Sequence, residues 1–187
     1  MQRRKFLLAS LALYPISIFA KFKNQFMERT NKGFTVKAGE ARFGEHYTMK
    51  GVTANTLDIK ISGKDTDEGI AVFEQTGHTL NGGPPLHIHP LQDEWFYVVE
   101  GKYYFQVGED TFYLEAGDTI FLPKNVPHAF VQLTEKASMM VTYLPAGKME
   151  AFFKTTAAWT RPPSKEEMAK AFTDHDMIIA GPPLKVK

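Results

Sequence analysis

The stretch Gly82–Gly101, GGPPLHIHPLQDEWFYVVEG, decides how this chain is read. Two histidines, His87 and His89, stand two residues apart. Pro85 and Pro90 flank them, discourage helix on either side and leave an extended piece. Residues i and i+2 of a strand point to one side, about 6.7 Å apart along the chain, so both imidazoles can reach one ion. Glu94 follows after a short polar break, then the strand-like run Trp95–Val99 and the turn glycine Gly101. His128 comes from a later segment, beside Pro123 and Pro127. Three imidazoles and one carboxylate on proline-stiffened backbone predict a single metal site of His87, His89, Glu94 and His128. Such a set suits one borderline divalent transition metal: Fe, Mn, Ni, Cu, Co or Zn. Four protein ligands fill a tetrahedral zinc but leave one or two positions open on a five- or six-coordinate ion. Glu94 is also the candidate catalytic residue, since a carboxylate beside a metal can exchange between ligation and proton transfer.

Outward from this stretch the apolar period is two. Leu57, Ile59 and Ile61 alternate with Asp58, Lys60 and Ser62, and further strands are predicted at Ile70–Thr76, Glu94–Val99 and Lys102–Val107. Thr111–Leu114, Thr119–Leu122, His128–Leu133 and Ser138–Leu144 continue the series. Between Gly69 and Pro145 no helical periodicity occurs, and there is no room for the long crossovers of a parallel sheet. Strands this short, with turns this regularly spaced, predict an all-β sandwich or closed barrel. Parity places Glu94, Phe96 and Val98 on one face and Trp95, Tyr97 and Val99 on the other. His128, Phe130 and Gln132 likewise share a side. Phe73, Gln75, Phe96, Tyr104, Phe130 and Gln132 are the expected walls of a substrate pocket.

The ends read differently. Arg3, Arg4 and Lys5 precede an apolar run from Phe6 to Ala20, the pattern of an export signal of twin-arginine type. Residues 1–20 are therefore expected to be removed on export to the periplasm or exterior, or to tether the protein to a membrane if retained. Residues 21–50 form an N-terminal extension with a short strand at Phe34–Lys37, and 51–146 the β-barrel. Residues 147–187 form a C-terminal extension. In it Ser164 and Glu167 make a capping box for a helix at about 164–172, with Met168 and Phe172 on one face. Ile178 and Ile179 add a short return segment.

The length of 187 residues suits one domain. The absence of cysteine excludes disulfides, thiolate metal sites and cysteine nucleophiles. Residues 1–20 carry three basic and no acidic residues; the remainder holds 19 basic and 21 acidic residues, a net of −2 without a basic patch. That excludes the footprint of a nucleic-acid binder. The expected partners are a small-molecule substrate and, given 15 Phe and 7 Tyr, a second copy in a homodimer. No membrane contact is expected after signal removal.

At this point the residues resemble the cupin superfamily. Its first motif is matched by Gly82, His87-Ile88-His89, Glu94 and Gly101, and its second by Gly117, Pro123 and His128. Gly82 stands one residue closer to His87 than usual; Asn125 and Gln132 replace a motif glycine and asparagine. The resemblance covers roughly Gly69–Pro145. It implies a double-stranded β-helix, or jelly-roll barrel, with His87, His89, Glu94 and His128 as ligands. The chain is similar to small single-domain cupins grouped with quercetin dioxygenase, which implies a metal-dependent dioxygenase, an oxidoreductase acting on a small enolic or phenolic, flavonol-like substrate. The alternatives are a metal-dependent isomerase or lyase using the same ligands, and a non-catalytic small-molecule or metal-binding protein.

Overall fold

The computed structural model describes residues 29–50 and 54–186. The expected export signal, residues 1–20, lies outside the described residues. Among the described residues no helix is long and apolar enough to cross a membrane.

The strands form two antiparallel sheets. In the first the order is β1 (His46–Thr48), β2 (Asn55–Ile61), β3 (Ala71–Gly77), β10 (Ala137–Leu144), β5 (Asp93–Glu100) and β8 (Thr119–Leu122). In the second it is β11 (Ile178–Pro183), β4 (Pro85–Ile88), β9 (His128–Gln132), β6 (Lys102–Val107) and β7 (Asp110–Glu115). Each sheet ends in strands with a single neighbour: β1 and β8 in one, β11 and β7 in the other. The closed jelly-roll barrel expected from the sequence is thus corrected to two open sheets. The physical reason is that alternation specifies which face of a strand is buried, whereas closure requires edge strands to pair, and edge pairing leaves no mark in the apolar period. Phe34–Lys37 is not a strand either; the first strand, β1, lies further on and pairs with β2.

The inward faces follow the alternation. On β5, Glu94, Phe96 and Val98 are buried while Trp95, Tyr97 and Val99 are exposed. On β10, Met139, Val141 and Tyr143 point inward, opposite Gln75, Phe73 and Ala71 of β3. On its other side β10 sets the same three residues against Val98, Phe96 and Glu94 of β5. Three layers result: Tyr143 with Glu94, Val141 with Phe96 and Phe73, Met139 with Val98 and Gln75. Tyr103 and Phe105 of β6, Leu114 of β7 and Phe130 of β9 complete the core from the second sheet. The chain changes sheets between β5 and β6 at Gly101, where φ is +82° and a Cβ would strike the carbonyl of Lys136.

Two helices pack over one end of the sheets. In α1 (Met149–Ala157), Met149, Phe152, Phe153 and Thr156 fall at i, i+3, i+4 and i+7 and are the buried face. Its first-turn Glu150 accepts hydrogen bonds from Ser62 Oγ and the Gly63 N–H, both at 2.8 Å, which ties the helix to the turn after β2. α2 (Lys165–Asp174) starts at a capping box of Ser164 and Glu167. Phe172 of α2 meets Phe152 edge-on at 5.1 Å. Burial of Phe152, Phe153 and Phe172 contributes at most about 1.5–3 kcal/mol each, enough to hold both helices in place. β11 then returns antiparallel to β4, with Ile179 opposite His87.

Candidate metal centre

The four donors come from both sheets. His87 on β4 and His128 on β9 are register partners in the five-stranded sheet. Glu94 belongs to β5 of the six-stranded sheet, and His89 sits just past β4, where the chain passes from one sheet to the other. Their ligand atoms all lie within 4.8 Å of one another, and all four residues are buried.

Second hydrogen bonds orient each imidazole. Nδ1 of His87 lies 2.8 Å from the Pro85 carbonyl, and Nδ1 of His128 lies 3.0 Å from the Val126 carbonyl. A carbonyl only accepts, so Nδ1 carries the proton in both rings and Nε2 presents its lone pair. Nδ1 of His89 lies 3.2 Å from Gln92 Oε1. The Gln92 amide is itself fixed, because its Nε2 donates to the carbonyls of Pro145 and Ala146, both at 2.9 Å. Gly147, at φ +55°, makes room for that amide: a Cβ there would stand 2.5 Å from Gln92 Nε2. Carbonyl or amide oxygens thus hold all three histidines in the tautomer a metal requires.

Glu94 Oε1 lies 3.0 Å from Nε2 of His89 and 3.0 Å from Nε2 of His128. Yet all three atoms are sealed from solvent without a hydrogen-bond partner. They converge on a point instead of pairing with one another. Buried polar atoms left in this way are costly, and a divalent cation among them satisfies the donor set. The electrostatics agree. Burial, with His128 and His89 nearby, pushes His87 down to about 3, and burial likewise lowers His89. Burial alone would raise Glu94, but the His89 and His128 imidazoles outweigh it and hold the carboxyl at about 2. Burial would lower His128, but Glu94 beside it reverses that. At neutral pH the centre presents an ionised carboxylate and, in His87 and His89, neutral imidazoles disposed to ligate.

A cavity of about 50 Å³ adjoins the donors. His87, Glu94 and His128 open onto it, with Gln75, Phe96 and Phe130 further along its wall. Met149, Phe152 and Phe153 of α1, Phe172 of α2 and Met177 supply the rest of its apolar wall. Three residues expected in the wall are elsewhere. Phe73 is fully buried but packs behind the cavity, against Phe153 at 4.9 Å and Tyr143 at 5.8 Å. Tyr104 points outward, because Tyr103 and Phe105 on either side of it point inward, and it packs on Tyr113 at 4.8 Å. Gln132 is buried four residues beyond His128, where its amide donates to the carbonyls of Thr134 and Glu135 and seals that end of the sheets.

Sequence reasoning missed Tyr143, Gln92 and the α1 residues of the cavity wall. The periodic set Met149, Phe152, Phe153 and Thr156 carried a signal for the last. Tyr143 carried one too, by its parity with Met139 and Val141.

A protein-family model described as the cupin domain matches residues 79–144. Among solved structures, KdgF from Halomonas sp. matches with a TM-score of 0.53 at 14% identity, covering 64% of this chain and 98% of that one. An RmlC-like cupin from Shewanella frigidimarina matches with a TM-score of 0.51 at 20% identity, covering 64% and 96%. The fold is a cupin fold. A search of curated proteins returns no match. At these identities the likeness concerns the fold alone, and neither of these two structures points to quercetin dioxygenase. The cavity speaks against a flavonol as well: a ligand of that size needs a pocket of about 300–1,000 Å³, against about 50 Å³ here. The expectation of a quercetinase-like dioxygenase, an oxidoreductase, is therefore withdrawn.

Proposed function

We propose that this cupin is a metal-dependent enzyme acting on a small oxygen-bearing molecule, an isomerase or lyase in reaction type. The observation that carries the reading is the convergence of one nitrogen from each of three histidines and one carboxylate oxygen within 4.8 Å beside a cavity. A purely structural ion needs no cavity beside it, whereas His87, Glu94 and His128 line one. The donor set suits Fe, Mn, Ni, Cu, Co or Zn. When bound, such an ion supplies a Lewis acid that polarises a substrate oxygen.

The protein's own residues divide the remaining work. His87, His89 and His128 hold their rings by Nδ1 and direct Nε2 inward. Glu94 supplies the one anionic donor of the set. Phe96, Phe130, Phe152 and Phe153 exclude water from the reacting end. Gln75 offers an amide without a hydrogen-bond partner among the described residues, two layers away from Glu94, where a polar end of the substrate could be read. The size of the cavity favours substrates of few non-hydrogen atoms.

Elemental analysis of the purified protein tests the metal; incubation with small hydroxy and keto acids, followed by proton NMR and an oxygen electrode, tests the reaction. The expected result is about one transition metal ion per chain and turnover without oxygen uptake. Protein that takes up no metal after saturation with ferrous, manganous, nickel, cupric, cobaltous and zinc ions would overturn the metal reading. Oxygen consumed in step with turnover would overturn the reaction type.

A further inference from the structure

We propose that Tyr143 is a substrate-binding residue of this centre, its hydroxyl donating a hydrogen bond to an oxygen of a small monoanion, a carboxylate or enolate, held beside Glu94. The inference rests on the metal reading above and adds to it a residue and a ligand class.

Tyr143 stands opposite Glu94 on β5 and opposite Ala71 on β3. Its ring is fixed against His89 at 5.7 Å, Phe73 at 5.8 Å and Phe153 at 6.2 Å. The side chain is buried, and it lines the cavity together with His87, Glu94 and His128. Its hydroxyl has no hydrogen-bond partner among the described residues, yet it is not one of the polar atoms sealed inside the protein. Tyr103 makes the contrast: its hydroxyl is sealed and orphaned in the core, and its side chain does not line the cavity. The Tyr143 hydroxyl therefore opens on the cavity. A phenylalanine would pack equally well at this position, so the oxygen has a use only if something in the cavity accepts its proton.

The chemistry of that acceptor follows from its surroundings. A divalent ion with three neutral imidazoles and one carboxylate keeps a net charge of +1, which favours a monoanion. An O–H donor next to the ion favours an oxygen anion. The remaining wall, Met49, Met149, Phe152, Phe153 and Phe172, favours an apolar end. A cavity of about 50 Å³ limits that end to a few carbons.

Acetate is the probe. Protein loaded with Co(II) is titrated with acetate and followed by its visible spectrum, for wild type and Tyr143→Phe, and the affinity of each for Co(II) is measured by chelator competition. The expected result is an unchanged metal affinity and acetate binding weakened about tenfold, the share of one hydrogen bond to a charged group. Equal acetate affinity in the two proteins overturns the proposal and leaves the metal reading standing; loss of Co(II) affinity in Tyr143→Phe also overturns it, because the role is then structural. A wild type that binds no Co(II) defeats the metal reading itself. Should Tyr143→Phe not fold, wild-type Zn(II) protein labelled at tyrosine Cζ is titrated by ¹³C NMR, with Tyr143 assigned through its contact to Phe153. A shift of that resonance on adding acetate supports the donor role, and an unmoved resonance overturns it.

Discussion

Replacing Gln92 with leucine separates what orients a ligand from what merely fills space. Gln92 makes three hydrogen bonds: it accepts from His89 Nδ1 at 3.2 Å and donates to the carbonyls of Pro145 and Ala146 at 2.9 Å each. Leucine has a similar volume and makes none of them. The variant strands three polar groups, each worth about 1–3 kcal/mol when buried, and recovers part of that through the amide no longer desolvated. A net loss of about 2–4 kcal/mol in unfolding free energy follows. The effect on the metal is distinct. His89 loses the acceptor that fixes its tautomer and plane, and loss of such a partner weakens metal affinity about 10–100-fold, or about 1.4–2.7 kcal/mol. Gln92→Glu keeps an acceptor for Nδ1–H but turns a carboxylate toward two carbonyls, so it should lose stability while holding metal within a few-fold of wild type. Urea denaturation of metal-free protein and chelator competition with Zn(II) read the two quantities independently. Gln92→Leu with wild-type zinc affinity, or Gln92→Glu with the affinity of the leucine variant, would refute the reasoning.

Further outcomes follow from other contacts. Gly147→Ala places a Cβ 2.5 Å from Gln92 Nε2 at a φ of +55°, and should cost about 1–3 kcal/mol and weaken metal binding through the same amide, read by thermal melts with and without zinc. Glu94→Gln removes the one negative charge from the donors and should weaken zinc binding by more than about tenfold, or 1.4 kcal/mol, by chelator competition. Phe172→Ala, which removes the ring against His87 at 5.6 Å and Phe152 at 5.1 Å, should destabilise by about 3–5 kcal/mol and admit carboxylates too large for wild type, measured by calorimetry on the zinc form. Burial would raise Asp65, but hydrogen bonds from Arg42 and the Ser62 N–H outweigh it and lower its pKa. Its stabilisation is therefore full above the unfolded value of about 3.9 and is lost as pH falls through the lower folded value; Asp65→Asn should flatten acid unfolding in that window, followed by circular dichroism.

Much of the arrangement was legible because the strands obey a period of two. Parity alone separated Glu94, Phe96 and Val98 from Trp95, Tyr97 and Val99. The same parity, applied to Lys102–Val107, would have turned Tyr104 outward, since Tyr103 and Phe105 flank it. The capping box at Ser164 marked the start of α2, whereas α1 opens at Lys148 with no side-chain cap and left only its apolar spacing to be read. What no local pattern encodes is the meeting of distant elements. Gln92 and Ala146 are 54 residues apart, and the lining of the cavity by Phe152 and Phe172 depends on helices whose docking the strand sequences do not mention. Sheet closure is of the same kind, a property of edges and not of faces.

The pairing of β11 with β4 bears on the order in which the protein is completed. Synthesis proceeds from the N-terminus, so β9 can join β4 well before residues 178–183 emerge. Until then the strand carrying His87 keeps one flank bare, and Phe172 of α2, whose ring meets that histidine at 5.6 Å, belongs to the same late segment. An ion arriving during this interval meets donors that are gathered but still uncovered. β11 is thus a shutter on the first histidine of the centre, and it closes only after β9 has joined the other side of that strand.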